Sequence, residues 1–173
     1  MNFNTLKTTL RYLVTLLGKY TPLKIEKKSL DGIYNYIKIS EQVSTSGQPT
    51  ENQFPLIKAA DFNTIINLAP HNVENSIADE AATTSALGLR YIHIPVDFQN
   101  PSEQDFEQFV ETMQSMAGEK VWVHCAANMR VSAFIFRYRC EILNEEENTA
   151  KQDIAKIWQP FGAWKKFLQN YSF

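Results

Sequence analysis

Apolar positions recur at helical spacing near the start of the chain. Leu6, Leu10, Leu13, Leu16 and Leu17 share one face of a helix predicted over residues 4–18, which Gly18 ends. Such a stripe is expected to pack on the rest of the chain or on a second copy. After a polar segment over 19–32, "YNYIKIS" alternates as a strand does, and "QVSTSGQPT" gives a short strand running into turn residues. Thr50 and Gln53 have the spacing of a capping box that opens a helix towards Ala60, with Pro55 expected to cost it one backbone bond.

The pattern then alternates between the two periods. "TIINLAP" reads as a buried strand stopped by Pro70, residues 74–87 as a helix ended by Gly88, and "RYIHIPV" as the next strand. A second capping box, Ser102 with Asp105, opens a helix that buries Phe106, Phe109, Val110, Met113 and Met116 and ends at Gly118. "KVWVHC" is a strand. Phe134, Ile135, Tyr138 and Ile142 mark a further helix from about residue 131, and the tail over 148–170 reads as one or two helices carrying Trp158 and Trp164. Strands alternating with helices predict a three-layer α/β domain with a largely parallel central sheet flanked by helices. The chain divides into an N-terminal helix with a polar leader (1–32) and an α/β domain with a helical C-terminal tail (33–173).

Composition narrows the partners. The 173 residues, 44% of them hydrophobic, suffice for one sizeable core. A net charge of −2 hides an asymmetry: residues 1–30 hold six Lys/Arg against Glu26 alone, and the rest holds 11 basic and 18 acidic residues. That acidic body argues against nucleic acid, which needs clustered positive charge. The basic leader could touch an anionic surface or equally be a solvated helix face. Two cysteines make no disulfide framework, and three histidines without ligand spacing argue against a metal site. No apolar run is long enough to span a bilayer, and "YLVTLL" is short for a signal core and lacks a cleavage site. A cytoplasmic protein in a reducing compartment is the expectation.

The chemistry concentrates in "VWVHCAANMRVSAF". Cys125 stands where a strand ends and a short loop leads into a helix. N–H groups there, over Ala126, Ala127, Asn128, Met129 and Arg130, are expected to point inward, and the helix dipole adds positive charge. Such surroundings favour thiolate over thiol and bind a tetrahedral oxyanion, so a phosphate or sulfate ion is expected in the loop. Arg130 would add a planar fork suited to phosphate oxygens. A lone cysteine is more often a small buried hydrophobe, which is the reading for Cys140. Cys125 differs because the strand end, His124, Arg130 and Ser132 coincide around it.

"VHCAANMRVS" resembles the signature loop of the protein tyrosine phosphatase superfamily: His-Cys, five residues, Arg, then Ser or Thr. "STSGQPTENQF", "TIINLAP" and "RYIHIPVDFQNP" are similar to the matching segments of small bacterial proteins of the dual-specificity-phosphatase-like group, so the resemblance covers about residues 34–145. It implies a metal-free, cofactor-independent phosphatase acting on a phosphorylated substrate. Cys125 would be the nucleophile and His124 the residue that orients the loop and supports the thiolate. Asp97 would be the general acid, and Ser132 would stabilise the departing thiolate.

One departure matters. Four residues, not five, separate Cys125 from Arg130. Either the loop keeps its length, with Asn128 replacing the usual glycine and Val131 in the arginine's place, or it is one residue shorter, as in rhodanese sulfurtransferases. Asparagine tolerates the left-handed backbone that glycine would supply. Three function classes follow: a cysteine-dependent phosphatase, a non-catalytic oxyanion-binding relative, and a sulfurtransferase. Asp97 and His124 favour the first over the sulfurtransferase.

Overall fold

A computed structural model of the chain describes residues 3–18, 29–171 and 173. Most of the expected polar segment, and the Leu17 side chain, lie outside the described residues. Five strands form one sheet: β1 (Ile37–Lys38), β2 (Val43–Ser46), β3 (Thr64–Asn67), β4 (Arg90–His93) and β5 (Val121–His124). Their order is β1-β2-β5-β3-β4, with β1 antiparallel and the others parallel. The expected α/β class is found.

Alternating side chains divide the sheet between two apolar layers, as the period of two requires. Ile65 and Trp122 face Phe54, Ile57, Phe62 and Leu89 on one side, in a layer that includes α2 (Phe54–Ala59). Ile66 and Val123 face the larger layer on the other side. That layer is built from α4 (Glu103–Ser115), α5 (Met129–Glu141), α6 (Glu147–Ile157) and α7 (Ala163–Phe167). The tail is part of this core: Trp158 and Trp164 are fully buried. Trp164 packs on Phe98, Phe134 and Phe167, and its indole N–H donates to the Phe98 carbonyl at 2.8 Å.

Three sequence expectations change. Pro55 costs α2 no bond, because a 3-10 turn (Glu51–Gln53) precedes it and the proline sits in the first turn, where its nitrogen has no acceptor to lose. The helix expected over 74–87 starts only at Glu80, giving α3 (Glu80–Ala86). The Asp79 carboxylate accepts from Ala82 N at 2.8 Å and caps it, while Ser76 donates to the His71 and Val73 carbonyls in the turns before it. The third change concerns α1 (Phe3–Gly18), whose leucine face does not pack on the domain: Leu6, Leu10 and Leu13 are exposed, and the buried positions are Thr5 and Thr8. No helix among the described residues is long and apolar enough to cross a membrane.

Trp164→Ala should cost about 3–5 kcal/mol, the usual loss for a fully buried aromatic. Urea unfolding followed by tryptophan fluorescence checks this, and a loss below about 1 kcal/mol would mean the tail is not part of the cooperative core.

Candidate active site

Chain order places β5 in the middle of the sheet, with parallel neighbours on both sides, so the loop after it opens at the centre of the carboxyl edge. Ser46 of β2 and Asn67 of β3 are both in register with His124. Cys125 follows and is fully buried. Its N–H donates to the Ser46 carbonyl, 3.3 Å away.

The loop's shape is fixed from outside. The Ala126 carbonyl accepts from Gln48 N at 3.2 Å and from Asn75 Nδ2 at 2.9 Å. The Ala127 carbonyl accepts from Asn35 Nδ2 at 3.0 Å. In a trans peptide, C=O and the next N–H point in opposite directions. These tethers therefore turn the N–H groups of Ala127 and Asn128 away from Gln48, Asn75 and Asn35. Gly47 permits the close approach: a Cβ there would stand 2.6 Å from Tyr34 Cδ1 and 3.1 Å from the Ala126 carbonyl oxygen.

Asn128 takes the left-handed conformation expected of it, with φ of 65° and ψ of 7°. Its side chain donates to the Asn35 carbonyl at 2.7 Å and to Thr45 Oγ1 at 3.0 Å. α5 begins at the next residue, Met129. One turn position then separates two fates: Val131 is buried in the core, whereas Arg130 reaches across to the segment after β4. Arg130 Nε donates to the Val96 carbonyl at 2.9 Å, and its guanidinium lies 5.2 Å from the Phe98 ring centre. Its two Nη groups have no hydrogen-bond partner among the described residues.

Asp97 sits between Val96 and Phe98, so the structure brings its segment to Arg130. The carboxylate itself is exposed and accepts from Gln99 N at 2.9 Å, as an ordinary turn aspartate does. Ser132 is not brought to Cys125 by any hydrogen bond. Its hydroxyl donates to the Met129 carbonyl at 3.0 Å and accepts from the Trp158 indole at 3.1 Å.

His124 is fully buried, and its Nε2 lies 2.6 Å from Glu80 Oε1. Glu80 is buried too and accepts from Gln48 Nε2 at 2.8 Å and Asn67 Nδ2 at 3.5 Å. Burial alone would push its carboxyl up. His124, Gln48 and His93 outweigh that and hold it below the usual carboxylate range. Sequence reasoning missed Glu80, Gln48, Asn75 and Asn35. For Glu80 the only available signal was an acid on the apolar side of a predicted helix, while Asn35 read as part of a strand, Asn75 as part of a helix and Gln48 as a turn residue. Four buried polar atoms around the loop, Gln48 Oε1, Asn75 Oδ1, His124 Nδ1 and Asn128 Oδ1, lack a hydrogen-bond partner among the described residues. Each such group costs about 1–3 kcal/mol when it stays unpaired.

A strand-loop-helix cradle holding a buried cysteine at the centre of this sheet is the architecture of the protein tyrosine phosphatase superfamily, in its dual-specificity-like form. Within that class, the chain belongs to the family described as DSP-PTPase phosphatase fused to NAD+ kinase, whose model matches residues 18–164. A DUF442 protein of known structure from Shewanella putrefaciens is 33% identical; the match covers 82% of this chain and 93% of that one, with a TM-score of 0.73. The core catalytic domain of the PP-IP phosphatase SIW14 from S. cerevisiae shares the fold at 13% identity, with a TM-score of 0.67 over 81% of this chain and 86% of that one. A beta-lactamase hydrolase-like protein of Agrobacterium fabrum is 31% identical over 97 residues, which are 54% of this chain and 22% of that protein. The chain thus spans about a fifth of the curated relatives it matches. Family and fold support a phosphatase-type function.

Glu80 ties stability to pH. A carboxyl held below its ordinary value stabilises the fold fully above about pH 4.5, and that contribution is lost as pH falls through the folded-state value. Glu80→Gln should flatten the acid limb of the stability curve, read from urea midpoints between pH 3 and 7. An acid limb unchanged in the variant would remove Glu80 from this role.

Proposed function

We propose that the chain hydrolyses a phosphate monoester through Cys125, without a metal or cofactor. The observation that carries this reading is the outward tethering of the Ala126 and Ala127 carbonyls. It turns the N–H groups of Ala127 and Asn128 away from those tethers, and in this reading they join the other N–H groups over Ala126–Arg130 around a tetrahedral oxyanion above the buried Cys125. In the first step the Cys125 thiolate attacks phosphorus, the S–P bond forms and the ester P–O bond breaks. Loop N–H groups and the Arg130 Nη groups hold the non-bridging oxygens. Asp97, in its acid form, gives its proton to the leaving oxygen. In the second step water attacks the phosphocysteine, Asp97 takes up the water's proton, the S–P bond breaks and inorganic phosphate leaves. His124, held by Glu80, fixes the loop from below. With its hydroxyl engaged by Trp158, Ser132 positions α5 in this reading rather than meeting the sulfur.

A second reading is a binding module without turnover. It is favoured by the commitment of Arg130 Nε to the Val96 carbonyl and by the exposed, turn-forming Asp97. The sulfurtransferase reading draws only on the four-residue spacing.

Substitutions separate the three. Cys125→Ser should lower aryl phosphate hydrolysis by at least about a thousandfold while leaving phosphate binding, since the cradle donors are main-chain groups. Arg130→Lys should weaken both, because an ammonium cannot replace the two-pronged contact. Asp97→Asn should slow an alkyl ester much more than a nitrophenyl ester, whose leaving oxygen needs no proton. Phosphate binding without hydrolysis in the unaltered chain would establish the binding module. Transfer of sulfur from thiosulfate to cyanide, insensitive to Asp97→Asn, would establish the sulfurtransferase.

A further inference from the structure

α1 is amphipathic with its faces reversed relative to an ordinary packed helix. Its docked face is polar and is held by named hydrogen bonds. Asn4 Nδ2 donates to the Ala155 carbonyl at 2.8 Å, and Thr8 Oγ1 to the Ile157 carbonyl at 2.6 Å. Both acceptors lie in the last turn of α6, whose final carbonyls have no partner within their own helix. Gln159 N donates to Thr5 Oγ1 at 2.9 Å, and the Tyr34 hydroxyl to the Thr8 carbonyl at 2.7 Å. The first two bonds cap α6, and all four fix which side of α1 faces away.

The side that faces away is apolar. Phe3, Leu6, Leu10, Leu13 and Val14 are each at least 50% exposed. Lys7 and Arg11 are also exposed, and the helix sequence, FNTLKTTLRYLVTLLG, contains no acid. A soluble chain seldom keeps an ordered apolar stripe in water, so the stripe calls for an occupant. A second copy would bring Lys7 and Arg11 against their own like, with no carboxylate on the helix to offset them. An anionic lipid surface meets both features together: acyl chains take the leucine stripe and headgroups take the cations. The sequence agrees, since residues 1–30 hold six bases against one acid while the remainder is acidic.

We propose that the outward face of α1 docks the protein on an anionic bilayer. The position of α1 makes this docking local to the cradle. Tyr34, bonded to Thr8, packs on Gly47, which donates to the Tyr34 carbonyl at 2.7 Å and lies against Ala126. Tyr12, on the docked face with Thr5 and Thr8, lies within electrostatic reach of Cys125 and Arg130. A membrane contact at α1 is therefore one side chain away from the loop that holds Cys125. The family match begins at residue 18, so all of α1 before Gly18 lies outside what that match describes.

The test uses the full chain and vesicle flotation, with neutral phosphatidylcholine vesicles beside vesicles holding about one third phosphatidylserine. Binding to the anionic vesicles should be at least about tenfold tighter, and should weaken as salt rises. Leu6→Asp with Leu13→Asp should lose that binding by at least about tenfold with an unchanged melting temperature, because both positions are exposed. Lys7→Glu should weaken it less. Equal affinity for the two vesicle types, or binding that survives the double aspartate substitution, overturns the proposal. So does a chain that ignores vesicles but forms, in sedimentation velocity, a dimer that the same substitutions dissolve; that result would give the face to a second copy. None of these readouts depends on turnover, so failure here is distinct from failure of the phosphatase reading.

Discussion

The buried pair of His124 and Glu80 is the constraint around which this end of the molecule is arranged. A carboxylate with no access to water is costly unless its lone pairs are taken, and breaking such a pair by removing one member typically costs about 3–5 kcal/mol. Glu80 meets that requirement with donors from three places: Gln48 after β2, Asn67 at the end of β3, and His124 at the end of β5. It also occupies the first turn of α3, where the helix dipole favours an anion. The pair therefore joins the first turn of α3 to the end of β5, at the point where the loop bearing Cys125 leaves the sheet.

The loop itself departs from the family pattern in a way that its own side chains offset. A glycine at position 128 would enter the left-handed region freely but would anchor nothing. Asparagine accepts a modest backbone strain there and returns two hydrogen bonds, to the Asn35 carbonyl and Thr45 Oγ1. The early arginine is absorbed similarly. Val131 turns into the core, and Arg130 leans on Phe98 and the Val96 carbonyl, which join α5 to the segment that carries Asp97.

What the sequence made legible was local. Alternating and buried apolar runs located the strands, the Ser102 and Asp105 spacing located the start of α4, the strand-loop-helix context singled out Cys125 and Arg130, and the family resemblance pointed to Asn128. What it hid was long-range. Glu80 and His124 are 44 residues apart, and Asn35 and Ala127 are 92 apart. An asparagine whose amide completes a distant main chain looks the same in sequence as one that makes a turn. The apolar stripe of α1 left its partner open for a related reason: periodicity reports that a helix has two faces, but the carbonyls left over at the end of α6 decided which face the domain would take.

The tethers on the loop carry a consequence for descent. Asn35, Gln48 and Asn75 hold Ala126 and Ala127 from the outer side, while Cys125 and the Arg130 Nη groups contribute nothing to that hold. On the phosphatase reading, most of what shapes the loop lies outside the residues that would react. A lineage can exchange the reactive set, through loss of chemistry or its replacement, and inherit the hollow intact.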